Sequence, residues 1–183
     1  MKLFVWLWNP WSKYETTRHN VGFLVLEMFC NQHGFTEFLY QQKFDAELAT
    51  GTVGKYQIIA MKPQTYMNKS GKAVQEVMAF YKILPQDVLV FHDDIDLAFG
   101  AIKLKYNSGH GGHNGIRDTY EKLGTPNIWK LKLWVGRPPH PEYSVSDYVL
   151  WSFSGTELER RKKHEKEVLL RVEEYIRNTW GSH

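Results

Sequence analysis

The feature that most limits the fold is an alternation of segments that fit strands with segments that fit helices. Val88-Leu89-Val90-Phe91 is a short, uninterrupted apolar run, as expected of a strand buried on both faces of a sheet. Residues 2–7 read as a first strand, residues 43–50 and 55–61 as a pair around Gly51-Thr52-Val53-Gly54, and Ile102, Leu104 and Tyr106 alternate as a further strand. Another strand is expected near 128–135. Between them, Val21, Leu24, Val25 and Met28 fall at helical spacing from Asn20, with Gly34 as the stop. A second helix carries Ala73, Val74, Val77 and Tyr81 on its buried face, with Ser70 as its cap and Pro85 beyond its end. A third is expected near 116–123, and a last one begins at the capping pair Ser154 and Glu157, with Val168, Leu169, Val172, Tyr175 and Ile176 as its stripe. Arg137-Pro138-Pro139-His140-Pro141 excludes regular structure. Strands alternating with helices predict an α/β fold: one domain over residues 1–183, built as a three-layer sandwich. Its twisted sheet is mixed but mostly parallel, with helices on both faces.

Composition narrows the class. The chain has 183 residues, 43% hydrophobic and 23% charged, in keeping with a globular protein. No apolar run approaches the ~20 residues that cross a bilayer, and the opening residues read as a strand rather than a signal peptide, so a cytoplasmic protein is expected. Cys30 is the only cysteine, which rules out an internal disulfide, and its apolar neighbours Leu26, Met28 and Phe29 make it a core thiol. A net charge of +3 permits a nucleic-acid partner without requiring one. Lys103, Lys105, Lys130 and Lys132 lie in alternating stretches where they would share faces. The run Arg160-Arg161-Lys162-Lys163 is interleaved with glutamates and reads as a solvated helix face.

Ligands of open α/β sheets sit beyond the carboxyl ends of the strands, and polar residues gather at such ends here. Asn9 follows the first strand, His19 precedes the first helix, Asn68 follows the strand reaching Met61, Asp93 follows Val88–Phe91, and His113-Asn114 follow Ile102–Tyr106. Each has a plainer reading, as a turn or a helix cap. No serine elbow is present, so a histidine with a carboxylate partner points to attack by activated water. Asparagine amides can orient a carbonyl or stabilise an oxyanion. Two rivals stand beside this reading. His92, Asp93, Asp94 and Asp96 with His110 and His113 could hold the metal of a phosphohydrolase. Alternatively, the basic and aromatic residues could serve a non-catalytic RNA-binding module.

Four blocks give the chain a likeness. They are Asn9-Pro10 through Thr17-Arg18-His19-Asn20-Val21-Gly22-Phe23; Lys62-Pro63-Gln64-Thr65-Tyr66-Met67-Asn68-Lys69-Ser70-Gly71; His92-Asp93-Asp94-Ile95-Asp96-Leu97 with Gly100; and Gly109-His110-Gly111-Gly112-His113-Asn114-Gly115-Ile116-Arg117-Asp118. In these the chain closely resembles bacterial peptidyl-tRNA hydrolase over nearly its whole length. The resemblance implies hydrolysis of the ester between a peptide and the 3′-terminal ribose of tRNA. It makes His19 the base and Asp93 the carboxylate that keeps it basic. It assigns Asn9, Asn68 and Asn114 to the peptide and the water, Tyr14 and Tyr66 to the tRNA end, and Lys103, Lys105 and Lys132 to phosphates. It also implies a monomer with no metal and no cofactor.

The chain departs from that pattern in one respect. Trp6, Trp8, Trp11, Trp134 and Trp151, five of its seven tryptophans, stand where the family pattern has glycine. Drift from glycine scatters among small residues, whereas five changes to the largest side chain fit a UGA codon meant as glycine and read as tryptophan.

Overall fold

A computed structural model describes residues 1–7, 21–94, 96–98, 101–134 and 155–180. The strands are β1 (Lys2–Trp6), β2 (Leu39–Gln41), β3 (Ala46–Val53), β4 (Tyr56–Pro63), β5 (Val88–Asp94), β6 (Ile102–Tyr106) and β7 (Trp129–Trp134). The helices are α1 (Val21–Gln32), α2 (Ser70–Tyr81), α3 (Asn114–Leu123) and α4 (Gly155–Trp180). Among the described residues one seven-stranded sheet forms in the order β2-β3-β4-β1-β5-β7-β6.

The expected α/β sandwich is what these elements build. β4, β1, β5 and β7 run parallel at the centre, and the hairpin of β3 with β4 supplies antiparallel pairing as anticipated. β2 was not foreseen. Its three residues are mostly exposed and gain their strand character from pairing with β3. β6 also differs from expectation, because it runs antiparallel to β7. Its last residue, Tyr106, therefore lies beside Trp129 at the start of β7, at the opposite end of the sheet from the carboxyl ends of the parallel strands. The residues after β6 therefore do not start at those carboxyl ends, where the sequence pattern predicts them.

Two apolar layers hold the sandwich together. On one face Phe4, Trp6, Leu89, Phe91, Leu131 and Leu133 pack with Leu26 and Phe29 of α1 and with Val172, Tyr175 and Ile176 of α4. On the other, Leu3, Val5, Val88 and Val90 pack with Val74 and Val77 of α2 and Ile116 of α3. Alternate residues of β1 and β5 thus serve opposite layers, as the two-residue period of a strand demands. Cys30 is buried in the first layer, and burial pushes its thiol up to about 12.

The start of α2 corrects a second expectation. Ser70 is buried as the first helical residue, and its hydroxyl donates back to the Met67 carbonyl at 3.0 Å instead of capping the helix. The Asp118 carboxylate of α3 accepts from the Gly71 amide at 2.7 Å and so satisfies an amide of the first turn from across the layer. Gly71 lets the helices approach this closely, since a Cβ there would lie 2.5 Å from the Asp118 carbonyl oxygen.

Candidate active site

Asp93 sits near the carboxyl end of central strand β5 and is almost completely buried. A buried carboxylate needs hydrogen-bond partners, and the Nε2 of His113 donates to its Oδ1 at 2.8 Å. His113 also caps α3: its Nδ1 accepts from the amides of Gly115 at 3.1 Å and Ile116 at 3.3 Å. A nitrogen that accepts from backbone amides carries no proton. The cap therefore fixes His113 as the neutral tautomer with its hydrogen on Nε2, aimed at Asp93. Both nitrogens are engaged, so His113 orients the carboxylate and is not itself placed as a base. In the sequence His113 is grouped with Asp93 only as a possible metal ligand, and the hydrogen bond between them is not revealed. Its position just before Asn114-Gly115-Ile116 marks it as a cap, and that was the available signal.

His92 lies beneath this pair, fully buried, with its ring 4.9 Å from that of His113. Its Nδ1 donates to the Asp93 carbonyl at 2.6 Å. Burial, reinforced by His113, holds its pKa well below the ordinary histidine value and keeps it neutral.

Asn114 opens α3, is exposed, and accepts from the Arg117 guanidinium at 2.8 Å. The turn Met67–Lys69, which carries exposed Asn68, packs against the same helix start. Gly115 makes this approach possible: a Cβ there would meet Met67 Sδ at 2.8 Å and Leu7 Cδ1 at 2.9 Å. Tyr66 precedes the turn and exposes 56% of its surface, enough for a ring to receive a stacked base. The chain leaves β1 at the same end of the sheet, where the Leu7 amide donates to the Phe91 carbonyl at 3.2 Å. Asn9, Tyr14 and His19, together with Trp8, Trp11 and Trp151, lie outside the described residues.

Strand pairing sets out the lysines. Lys103 of β6 pairs with Lys132 of β7, and Lys105 with Lys130, so all four side chains leave one face of the sheet. Lys103 and Lys105 are exposed, and Lys132 holds Asp94 Oδ2 at 2.8 Å. Lys130 is fully buried.

Several donors of the alternative metal reading are engaged elsewhere. His113 is spent on Asp93 and the cap, and Asp94 on Lys132 and the Asp96 amide, while His92 gives Nδ1 to a carbonyl and keeps a buried Nε2 with no hydrogen-bond partner among the described residues. Among the described residues no three His, Cys, Asp or Glu side chains are grouped as a metal ion would need. No described helix is long and apolar enough to cross a membrane.

Residues 3–182 match the model of the peptidyl-tRNA hydrolase family. A peptidyl-tRNA hydrolase of Exiguobacterium sp. is 38% identical over 98% of this chain and 96% of its own length. One of Exiguobacterium sibiricum is 45% identical over 86% of this chain and 83% of its own. A peptidyl-tRNA hydrolase of Dinoroseobacter shibae is 43% identical, and the matched part spans 86% of this chain but 65% of that longer relative. The crystal structure of peptidyl-tRNA hydrolase from Acinetobacter baumannii superimposes with a TM-score of 0.90 at 34% identity, covering 99% of this chain and 91% of that one. With a family match over nearly its full length and a shared fold, the chain belongs to the peptidyl-tRNA hydrolase family.

Proposed function

We propose that this chain hydrolyses the ester joining a peptide, or another N-blocked aminoacyl group, to the 3′-terminal ribose of tRNA. The observation that carries the reading is the buried Asp93 carboxylate, oriented by a neutral His113 at the sheet end where the Met67–Lys69 turn meets the start of α3. In this reading His19 takes a proton from water, and the hydroxide attacks the ester carbonyl carbon. The tetrahedral intermediate then expels the ribose oxygen, which receives the proton from His19. The peptide leaves with a new carboxyl group, which gives its proton to solvent, and free tRNA leaves with it.

Asp93 keeps His19 basic and stabilises its imidazolium. Asn114 places the water, Asn9 and Asn68 hold the peptide carbonyl and amide groups, and Tyr14 and Tyr66 take the terminal nucleotide. Lys103, Lys105 and Lys132 meet phosphates. No metal or cofactor enters these steps, and the enzyme works as a cytoplasmic monomer. His19→Ala should lower turnover of N-acetyl-aminoacyl-tRNA by ~10²–10⁴ while tRNA binding persists. Near-normal turnover would overturn the assignment, and loss of activity with EDTA would favour the metal reading instead.

The five tryptophans belong to the same proposal: they are glycine codons read as tryptophan. Trp6 is fully buried in the layer beneath α1 and α4, with the Lys62 ammonium 5.5 Å from its ring. Trp134 ends β7, where its backbone pairs in register with Asp94. UGG at all five codons in the coding DNA would sink the idea.

A further inference from the structure

The residues between β6 and α3 must travel back along the sheet. β6 ends beside Trp129, whereas His113 is needed at Asp93, opposite Leu133. Residues 107–113 make this journey over β7, turning at Asn107, Gly111 and Gly112, all with positive φ. Ser108 and Gly109 lie over Lys130: its Nζ donates to their carbonyls at 2.9 and 2.6 Å. The Tyr120 hydroxyl donates to the same Ser108 carbonyl at 2.6 Å, and the Lys130 ammonium lies 5.1 Å from the centre of the Tyr120 ring. The segment then passes Lys132, whose Nζ is 4.0 Å from where a Cβ on Gly111 would stand, and arrives at His113.

A fully buried ammonium is costly, and an apolar side chain would fill the same space without desolvation. With no exposed surface it has no access to a phosphate, unlike Lys103 and Lys105. Its hydrogen bonds go to the segment that carries His113 and Asn114. We infer that Lys130 is a positioning residue for the hydrolysis: with Tyr120 it straps Ser108 and Gly109 to β7, and so delivers His113 to Asp93 and Asn114 to the site. This rests on the hydrolytic reading above.

Three variants test it: Lys130→Met, which keeps length and bulk but removes the donors; Tyr120→Phe, which removes only the hydroxyl; and Lys130→Arg, which keeps a cation with donors. Each is measured for kcat and KM on N-acetyl-aminoacyl-tRNA, and for amide hydrogen exchange. Lys130→Met should lower kcat by ~10–100-fold, the scale of a misplacement near 1 Å, with KM within about twofold. The amides of residues 109–113 should exchange faster while the central strands are unchanged. Tyr120→Phe should show the same pattern more weakly, and it carries the test if Lys130→Met does not fold. Lys130→Arg should recover most of the lost kcat. A raised KM with unchanged kcat would overturn the proposal in favour of a tRNA contact, and faster exchange across the whole sheet would reduce Lys130 to a structural role. Asp93→Asn is the control. If it is inactive while Lys130→Met and Tyr120→Phe turn over normally, only the strap is refuted; if Asp93→Asn is fully active, the hydrolytic reading falls and takes the strap with it.

Discussion

His113 joins two tasks that a pair of substitutions can separate. It caps α3 through Nδ1 and holds Asp93 through Nε2. Asparagine is a strong cap but is too short to span both partners, so His113→Asn should keep the cap and lose the Asp93 bond. A hydrogen bond to a charged group contributes about 1.5–3 kcal/mol, and this one is buried, with side-chain exposures of 6% and 2% for His113 and Asp93. His113→Ala loses the cap as well, a further ~1 kcal/mol. In a protein of this size each kcal/mol moves Tm by about 2–4 °C, so the asparagine variant should melt roughly 3–12 °C lower and the alanine variant another 2–4 °C below it. Turnover should respond differently. Both variants release Asp93 from its fixed orientation, so both should lose a similar ~10²-fold in kcat despite their different stabilities. Thermal melts and release of N-acetyl-amino acid from tRNA give the two readouts. Wild-type turnover in His113→Asn would refute the claim that this bond orients the catalytic carboxylate, and equal stability of the two variants would refute the capping role.

Neutralising Lys103 or Lys105 should weaken binding to all tRNAs alike and flatten the slope of log K against log salt by about one unit at most, measured by titration at several salt concentrations. Cys30, held as a thiol by burial with its pKa near 12, should resist alkylation by iodoacetamide at pH 8 in the native protein and react on denaturation. Burial, then Lys132, lower the Lys130 pKa from 10.5 to about 8, while Asp94 opposes them; the Tyr120 ring, the cross-strand neighbour Lys105 and the carbonyls of Ser108 and Gly109 also face it. Between those values the unfolded chain binds a proton that the folded chain lacks. Stability relative to Lys130→Met should therefore rise with pH across that window in urea melts. Trp6→Gly sets two effects against each other: opening a cavity costs about 3–5 kcal/mol, whereas relieving an overpacked core returns about 1–3 kcal/mol. If the core evolved around glycine, Tm should rise; a fall of the size expected for a cavity would show that the indole belongs there.

The parts of this molecule that were legible in its sequence are those whose cause is local. Val88–Phe91 reads as a central strand because burial on both faces leaves no polar position within it, and α2 reads as a helix because Ala73, Val74 and Val77 recur at its period. What escaped depends on partners far along the chain. Leu39–Gln41 has no strand pattern of its own, and Ser70 reads as a cap because nothing nearby reveals that Asp118 serves that end of α2. The same limit applies in the site. Alternation alone puts Lys103 and Lys105 on one face, but only the register of β6 against β7 adds Lys132 to that face. Asp93 and His113 are each recognisable as polar residues near an element's end, yet their pairing follows from the direction of β6. Had β6 run parallel to β7, it would have ended beside β7 at the same end of the sheet as the carboxyl end of β5, and a shorter path would have sufficed. Running antiparallel, it leaves residues 107–113 to recross the sheet, over a strand whose Lys130 holds them on the way. The family's glycine-rich block is therefore best understood as a return path: its glycines supply the turns, and its last residues, His113 and Asn114, are the ones that reach the carboxyl end of β5.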